Sequence, residues 1–335
     1  DFTSNFQIID MTNVSGTSHS GTISNLTAST QYHYYVITTT VSISGSNNQE
    51  YYDMRTIDID DDSGSHYTFN VDATWTTSGG SNNWSNSSAW DAGEIPVNNQ
   101  PVTIQDNLIL DQNATVSDIT ITTGNTLTSE SGQTRTLTIQ DGGTFTNDGT
   151  FTANDGTISL GDGSSFTNND TFNANSGIVS FPGAGTISGT TTFNNVNIAG
   201  GVDFVSNNST INGTLTVNNG GFANTNSPIY GNGSTLDFDT GGNYNIDSNT
   251  TLWKTGSTLG DGVPFNVTTT SSDLNFSQAR DVKGTLSVDN GASVTTSSGA
   301  GLFVSVNTIN NGTITTGAGN FEVTANLTNA GTFDQ

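Results

Sequence analysis

The chain has 335 residues, no cysteine, and a net charge of −25 at pH 7 that comes from 30 acidic and only 5 basic residues. Disulfides, thiolate sites and cysteine nucleophiles are therefore excluded, and the scattered bases argue against nucleic acid or an anionic membrane surface as a partner. An apolar fraction of 31% favours a thin, elongated core, and no apolar run is long enough for membrane insertion.

Residues 1–57 show the pattern of an all-β sandwich, with short strands between turn residues. Leu26–Tyr32 (LTASTQY) resembles the tyrosine corner of fibronectin type III domains, which implies that Tyr32 and Tyr34 point into a core. Few residues precede this motif, so the fibronectin type III-like domain is expected to be partial. Either the sequence begins inside it or a neighbouring chain donates the early strands.

Residues 58–68 form an acidic segment that we interpret as a linker. Asp58, Asp60 and Asp62 alternate ahead of Gly64, which is the spacing of a calcium loop, and carboxylates are suitable calcium ligands. No bidentate Glu follows at the expected distance, and a solvated linker explains the run equally well. Calcium is the one candidate cofactor that the sequence offers.

Residues 69–100 contain three of the four tryptophans, Trp75, Trp84 and Trp90. A solenoid exposes an apolar end that must be covered, so we interpret this segment as an N-terminal cap. The alternative is a platform on which these rings stack against sugars. Tyr230 and Tyr244 are further candidates for sugar stacking.

Residues 101–335 carry the clearest signal. The segment that begins at Phe145 (FTNDGTF) recurs 21 residues later at Phe166 (FTNNDTF). Short apolar and Thr-rich strands between Asn and Gly turns, at this period, predict a right-handed parallel β-helix, also called a β-solenoid. Eleven or twelve coils would form a rod about 55 Å long.

The repeat also predicts the interior of the coil. Phe145, Phe151 and Ile158 should stack on Phe166, Phe172 and Val179 of the next coil. Asn147 and Asn168 should form an amide ladder. Gly149 and Gly156 should occupy corners with positive φ.

The C-terminal part of the repeat is less regular. The motif beginning at Ile309 recurs at Leu327, a spacing of 18 that predicts coils of unequal girth. The solenoid is expected to be open at its C-terminal end, where a further coil or a neighbouring copy would cover it.

Catalytic chemistry has few candidates. His19, His33 and His66 all precede the solenoid. Asp237 and Asp239 have the spacing of two carboxylates on one face of a strand, as glycoside hydrolysis would require. The Gly-His-Gly and Arg-x-Lys elements of polygalacturonase-like enzymes are missing, so these acids are interpreted as solvated and the protein as not an enzyme.

Two stretches resemble a known class of proteins. Residues 81–128, with the pattern NW…W…G..P…VTI, resemble the entry into β-helical regions of large exported proteins of the Bacteroidota, and residues 230–288 resemble a recurrent module of the same proteins. This implies export through the type IX pathway, although the C-terminal sorting domain of that pathway is not visible. It also implies an extracellular or cell-surface location.

The leading hypothesis is a structural or adhesive module of a bacterial surface protein or fibre. Its expected partners are neighbouring copies or further modules of the same long chain, together with surface glycans. The alternative is a carbohydrate-binding module. A polysaccharide-degrading β-helix enzyme ranks third.

Overall fold

The computed structural model describes residues 12–15, 18–20, 31–34, 36–44, 51–60, 67–70, 75–77, 82–97 and 100–335, apart from residues 207, 220, 224, 225 and 298. The chain divides into two compact units, Asp1–Ala73 and Thr74–Gln335.

The described strands of the first unit pair antiparallel in twos: Thr12–Ser15 with Ser18–Ser20, Gln31–Tyr34 with Tyr67–Asn70, and Val36–Ser44 with Tyr51–Asp60. Strands thus occupy both ends of segment 58–68, and the unit boundary follows Ala73. The linker bounds expected from the sequence differ because Ile57 and Ile59 alternate with acids, which is the period of a strand.

The second unit is a parallel β-solenoid of about eleven turns, built on three faces. One face, termed the continuous face, is a single sheet of eleven parallel strands. Its strands are Ala114–Val116, Thr136–Ile139, Thr157–Leu160, Ile178–Phe181, Asn195–Ile198, Thr214–Val217, Thr235–Phe238, Asn266–Thr269, Leu286–Val288, Asn307–Asn310 and Asn326–Asn329.

The other two faces are each interrupted. Face A has two sheets, with strands Trp75–Thr76, Val102–Ile104, Ile119–Ile121, Thr144–Asn147, Ser164–Asn168, Gly185–Gly189, Val202–Phe204 and Phe222–Ala223, then Asn243–Asn245, Asp273–Phe276, Ser293–Thr296, Thr313–Thr316 and Thr332–Asp334. Face B has three, with strands Leu108–Leu110, Thr126–Ser129, Thr150–Thr152 and Thr171–Asn173; Thr191–Phe193, Ser209–Ile211 and Ile229–Tyr230; and Arg280–Val282, Leu302–Val304 and Phe321–Val323. Two short 3-10 helices, Ser87–Ala89 and Ile246–Asn249, complete the described elements.

Equivalent apolar side chains stack from coil to coil, as the repeat predicts. The rings of Phe145 and Phe166 lie 5.0 Å apart and are nearly parallel. Those of Phe151 and Phe172 lie 5.5 Å apart. Most strands of the solenoid alternate buried and half-buried residues, so one row per strand enters the core and the other faces outward. The last strand of the continuous face, Asn326–Asn329, is exposed throughout.

The predicted amide ladder is confirmed, and it lies inside the core. The Asn147 Nδ2 donates to Asn168 Oδ1 at 2.7 Å and to the Thr171 carbonyl at 2.8 Å. The same arrangement recurs where Asn310 Nδ2 donates to Asn329 Oδ1 at 2.7 Å and to a threonine carbonyl at 2.8 Å. In both places the Asn lies at the end of a strand and bonds the next coil around the corner.

The predicted role of two glycines was wrong. Gly149 and Gly156 do not have positive φ, whereas Asn154 and Asn175 do, at 49° and 46°. A Cβ on Gly149 would lie 2.4 Å from the Asn125 carbonyl oxygen, and one on Gly156 would lie 2.5 Å from Ser129 Oγ. These positions are glycine because neighbouring coils approach too closely for a side chain.

The coils differ in girth, as predicted. The Asn147–Asn168 rung spans 21 residues and the Asn310–Asn329 rung spans 19. The predicted spacing of 18 was one residue short, because Leu327 pairs with Thr308 and not with Ile309. The largest departure is the segment between the strands Asn243–Asn245 and Asn266–Thr269, which contains the second 3-10 helix and the buried Trp253.

Candidate functional sites

Two of the three clustered tryptophans are buried. Trp84 and Trp90 are 0% and 2% exposed, and their rings meet edge to face at 4.9 Å. The Trp90 Nε1 donates to the Trp84 carbonyl at 3.0 Å. A buried ring offers no face to a sugar, so the stacking prediction was wrong for these two residues. Trp75 lies on the first strand of face A, but its side chain is outside the described part of the chain.

The segment that holds these tryptophans is itself an incomplete coil. Trp75–Thr76 pairs in parallel with the strand that begins at Val102. Farther along, the Trp84 N–H donates to the Ile109 carbonyl at 2.8 Å, and the Ile109 N–H donates to the Asn82 backbone carbonyl at 2.6 Å. The cap thus satisfies the edge of the first coil on two faces while its indole rings cover the apolar interior.

Tyr230 and Tyr244 are also unsuited to sugar stacking. Tyr230 is 1% exposed, and its hydroxyl donates to the Leu252 carbonyl at 2.9 Å. Tyr244 is 7% exposed, and its hydroxyl shares a hydrogen bond with Asn249. Burial raises the pKa of Tyr230 well above its usual value and that of Tyr244 to about 12. Both phenols therefore belong to the core.

The candidate calcium residues do not lie in a loop where they are described. Asp58 and Asp60 are on the strand Tyr51–Asp60, opposite Thr38 and Val36. Asp62 is outside the described residues. A calcium loop wraps its ligands around the ion, whereas Asp58 and Asp60 lie two residues apart on an extended strand. Among the residues that the structure describes, no group of three or more His, Asp or Glu could hold a metal ion.

The candidate catalytic carboxylates bond to the following coil. Asp237 Oδ1 accepts from the Thr270 hydroxyl at 2.8 Å, and Asp239 Oδ1 accepts from Ser271 at 2.5 Å. Burial raises the pKa of Asp237, and the negative charges of Asp239 and Asp289 raise it further, against the Thr270 hydrogen bond. The geometry gives both carboxylates a role in joining coils.

Sequence reasoning missed a buried ion pair. Arg280 is 2% exposed, its Nη2 lies 2.8 Å from Asp247 Oδ1, and its guanidinium lies 5.8 Å from the Phe276 ring centre. Burial lowers the pKa of Arg280, while Asp247 opposes that shift. The pair connects face B to the second 3-10 helix. Its sequence signal is the alternation of Arg280 and Val282, which places the arginine in an inward row.

No family model, no curated protein and no solved structure matches the chain. Within the described residues, no helix is long and apolar enough to cross a lipid bilayer.

Proposed function

We propose that the chain is a structural and adhesive module of a large extracellular bacterial surface protein or fibre, and that it is not an enzyme. One observation carries the proposal: eleven turns share one uninterrupted sheet, with side chains stacked from coil to coil beneath it. Such a quasi-one-dimensional body gains stability from every neighbouring pair of coils and suits the role of a spacer.

The polar groups support the same role. The carboxylates of Asp111, Asp237 and Asp239 accept hydrogen bonds from residues of an adjacent turn, at Ser85, Thr270 and Ser271 respectively. The buried Asn rungs and the Arg280–Asp247 pair also join one turn to another. These groups hold coils together, and a reaction would have to dismantle those contacts.

The coils wind to the right, as nearly all parallel crossovers do. The first unit is a partial fibronectin type III-like domain, and the resemblance to exported proteins of the Bacteroidota supports a location outside the cell or on its surface. Its partners are neighbouring copies, further modules of the same chain and surface glycans.

Electron microscopy of the purified parent protein, with immunogold labelling of the cells that make it, tests this proposal. We expect slender rods or filaments at the cell surface, with this segment contributing about 48 Å of length from ten coil spacings. Compact isolated particles without surface labelling would contradict it. Turnover of a polysaccharide that is lost in Asp237→Asn would contradict the non-enzymatic part.

A further inference from the structure

The continuous face carries a column of outward polar side chains on six consecutive coils. The residues are Thr115, Thr138, Ser159, Ser180, Asn197 and Thr216, and each is the direct strand partner of the next. All six are half-buried, as expected for the outer side of a central strand. We call them the hydroxyl column, although Asn197 contributes an amide. A second outward column lies two residues earlier on the same strands and includes Thr136 and Thr157. One buried residue separates each of these threonines from the hydroxyl column.

The hydroxyl column is uncharged in a strongly acidic protein. The chain carries 30 acidic residues, yet none of the six positions is acidic, and the first acid in the column is Asp237 on the next coil. Acids such as Asp141 and Asp162 lie at turns, where each accepts a backbone N–H of the next coil. This segregation leaves a neutral strip on an anionic rod, which favours a neutral partner over a charged one.

The six side chains have no hydrogen-bond partner among the described residues. On face A, by contrast, Thr167 and Ser188 bond each other at 2.9 Å. Strands about 4.8 Å apart place equivalent hydroxyl groups too far apart for a direct bond unless their rotamers converge. The column must therefore bond to water or to an external ligand.

The spacing of the column matches ordered water. Two water molecules that share a tetrahedral neighbour at the usual O–H···O distance of about 2.75 Å are about 4.5 Å apart, close to the coil spacing of about 4.8 Å. Thr115, Thr138 and Thr216 are β-branched and stiff at χ1, so half of the column is arranged before any ligand arrives. Because the coil spacing is slightly larger than the water spacing, the side chains and the ordered water drift out of register along the rod. Each stretch of matched positions therefore covers only a few neighbouring coils.

We propose that the hydroxyl column binds ice, with water held on its side chains serving as the contact layer. A polar array that displaces water exchanges one set of hydrogen bonds for another and gains little. An array that keeps its water gains when that water joins a crystal. A glycan would be expected to use aromatic stacking, and the six positions of the column hold no aromatic side chain.

Ice-affinity partitioning tests the proposal. The full chain is mixed with serum albumin, and the fraction of each protein incorporated into a slowly grown ice hemisphere is measured together with thermal hysteresis. We expect the chain to be enriched in ice relative to albumin. Thr138→Tyr should lower this enrichment at least about tenfold by disturbing the contact layer on three coils. Thr138→Val, which keeps the shape and removes the hydroxyl, should lower it less.

Thr128→Tyr is the matched control, because Thr128 is a half-buried outward threonine on the four-stranded sheet of face B. It should keep the enrichment of the unaltered chain. Circular dichroism and thermal melting establish that each variant is folded, and Thr216→Tyr replaces Thr138→Tyr if the latter fails to fold. Exclusion of the unaltered chain from ice, or equal losses for Thr138→Tyr and Thr128→Tyr, would overturn the proposal.

Retention on microcrystalline cellulose or chitin that is lost in Thr138→Tyr, without enrichment in ice, would assign the column to a glycan and overturn the proposal as well. The inference is independent of the proposed structural role. A rod that does not bind ice would still appear as a rod in electron microscopy.

Discussion

Asparagine contributes to this fold from inside the core. Asn147 and Asn168 are 0% and 2% exposed, although asparagine is mostly found on protein surfaces. Their burial is tolerated because the amide of each coil bonds the coil beside it: Asn168 Nδ2 also donates to the Thr190 carbonyl at 2.9 Å. The Asn-x-Gly or Asn-x-Asp sequence followed by Thr marks these corners, so a polar residue here indicates an interior position.

Replacing Asn168 by Ala should destabilise the solenoid. The change removes the acceptor of Asn147 and leaves the Thr190 carbonyl without its amide donor, so we expect a loss of about 2–4 kcal/mol in the free energy of unfolding. Denaturation in urea measures it. Asn169→Ala is the control, because the exposed Asn169 side chain donates to the Asp148 carboxylate and its backbone bond is kept in the variant, so the effect should stay within about 0.5 kcal/mol. Equal effects would contradict the interior ladder.

Asp237 should make stability depend on pH in an unusual direction. Its pKa is raised above the ordinary value of 3.8, chiefly by burial, so the folded protein retains a proton that the unfolded chain has lost. The contribution of Asp237 is therefore most favourable below its ordinary pKa, and it declines as pH rises through the raised value. Asp237→Asn should melt at a higher temperature than the unaltered chain at pH 7.

The two melting temperatures should converge as pH falls below the ordinary pKa of 3.8, where the carboxyl is protonated in both the folded and the unfolded chain. The difference at pH 7 should be small, because Asp237 is only half-buried and solvent screens its charge. Asp155→Asn, at an exposed turn, should melt like the unaltered chain across the same range. A lower melting temperature for Asp237→Asn at pH 7 would show that its hydrogen bond with Thr270 outweighs the cost of its burial.

At the scale of the element, the short strands depend on close packing at the corners between them. Gly149 lies where the turn of one coil crosses the turn of the previous one, so a Cβ on it would meet the carbonyl oxygens of Thr122 and Asn125. This close approach at the corner lets the strands of successive coils pair in register, with no gap between the coils. Glycine is therefore required at these corners by the close spacing of neighbouring coils and not by the local dihedral angles.

Gly149→Ala should therefore be destabilising although its φ is ordinary. The added methyl group would meet carbonyl oxygens at 2.4 and 2.5 Å, and overpacking of this kind costs about 1–3 kcal/mol. Gly201→Ala is the matched control, because a Cβ there has no neighbour within 4 Å, and it should be neutral or slightly stabilising. Thermal melting of both variants makes the comparison. A neutral Gly149→Ala would mean that the coils can separate without cost.

At the scale of the whole molecule, the stability of a stack of coils depends on the residues that cover its apolar ends. The N-terminal segment covers one end with two buried indoles and continues the strand pairing of faces A and B. Because each coil contacts only its neighbours, damage at the cap should spread inward from that end.

Trp90→Ala should lower the free energy of unfolding by about 3–5 kcal/mol, the usual cost of truncating a buried tryptophan. Trp90→Phe keeps most of the packing and loses the hydrogen bond to Trp84, so its loss should be smaller. Urea denaturation and a glycan array are run on both variants. Loss of glycan binding in Trp90→Ala without loss of stability would restore the platform interpretation.

Much of the architecture could be predicted from the repeat. The parallel solenoid, the stacking of Phe145 on Phe166 and the Asn ladder all follow from side-chain periodicity, since equivalent letters in successive repeats must meet in a stack. The interpretation of aromatic residues as sugar platforms failed at Trp84, Trp90, Tyr230 and Tyr244. Composition does not distinguish a ring that covers a core from one that faces solvent.

The class of fold, the approximate number of coils and the identity of many stacked pairs could be predicted from the sequence, because these depend on local alternation and on a period. Three-dimensional coordinates were needed for the one-residue register of Thr308 on Leu327, the contacts that require Gly149, the burial of Arg280 against Asp247, and the unbroken extent of the continuous face. These depend on distances between residues far apart in the chain, which a periodic pattern does not specify.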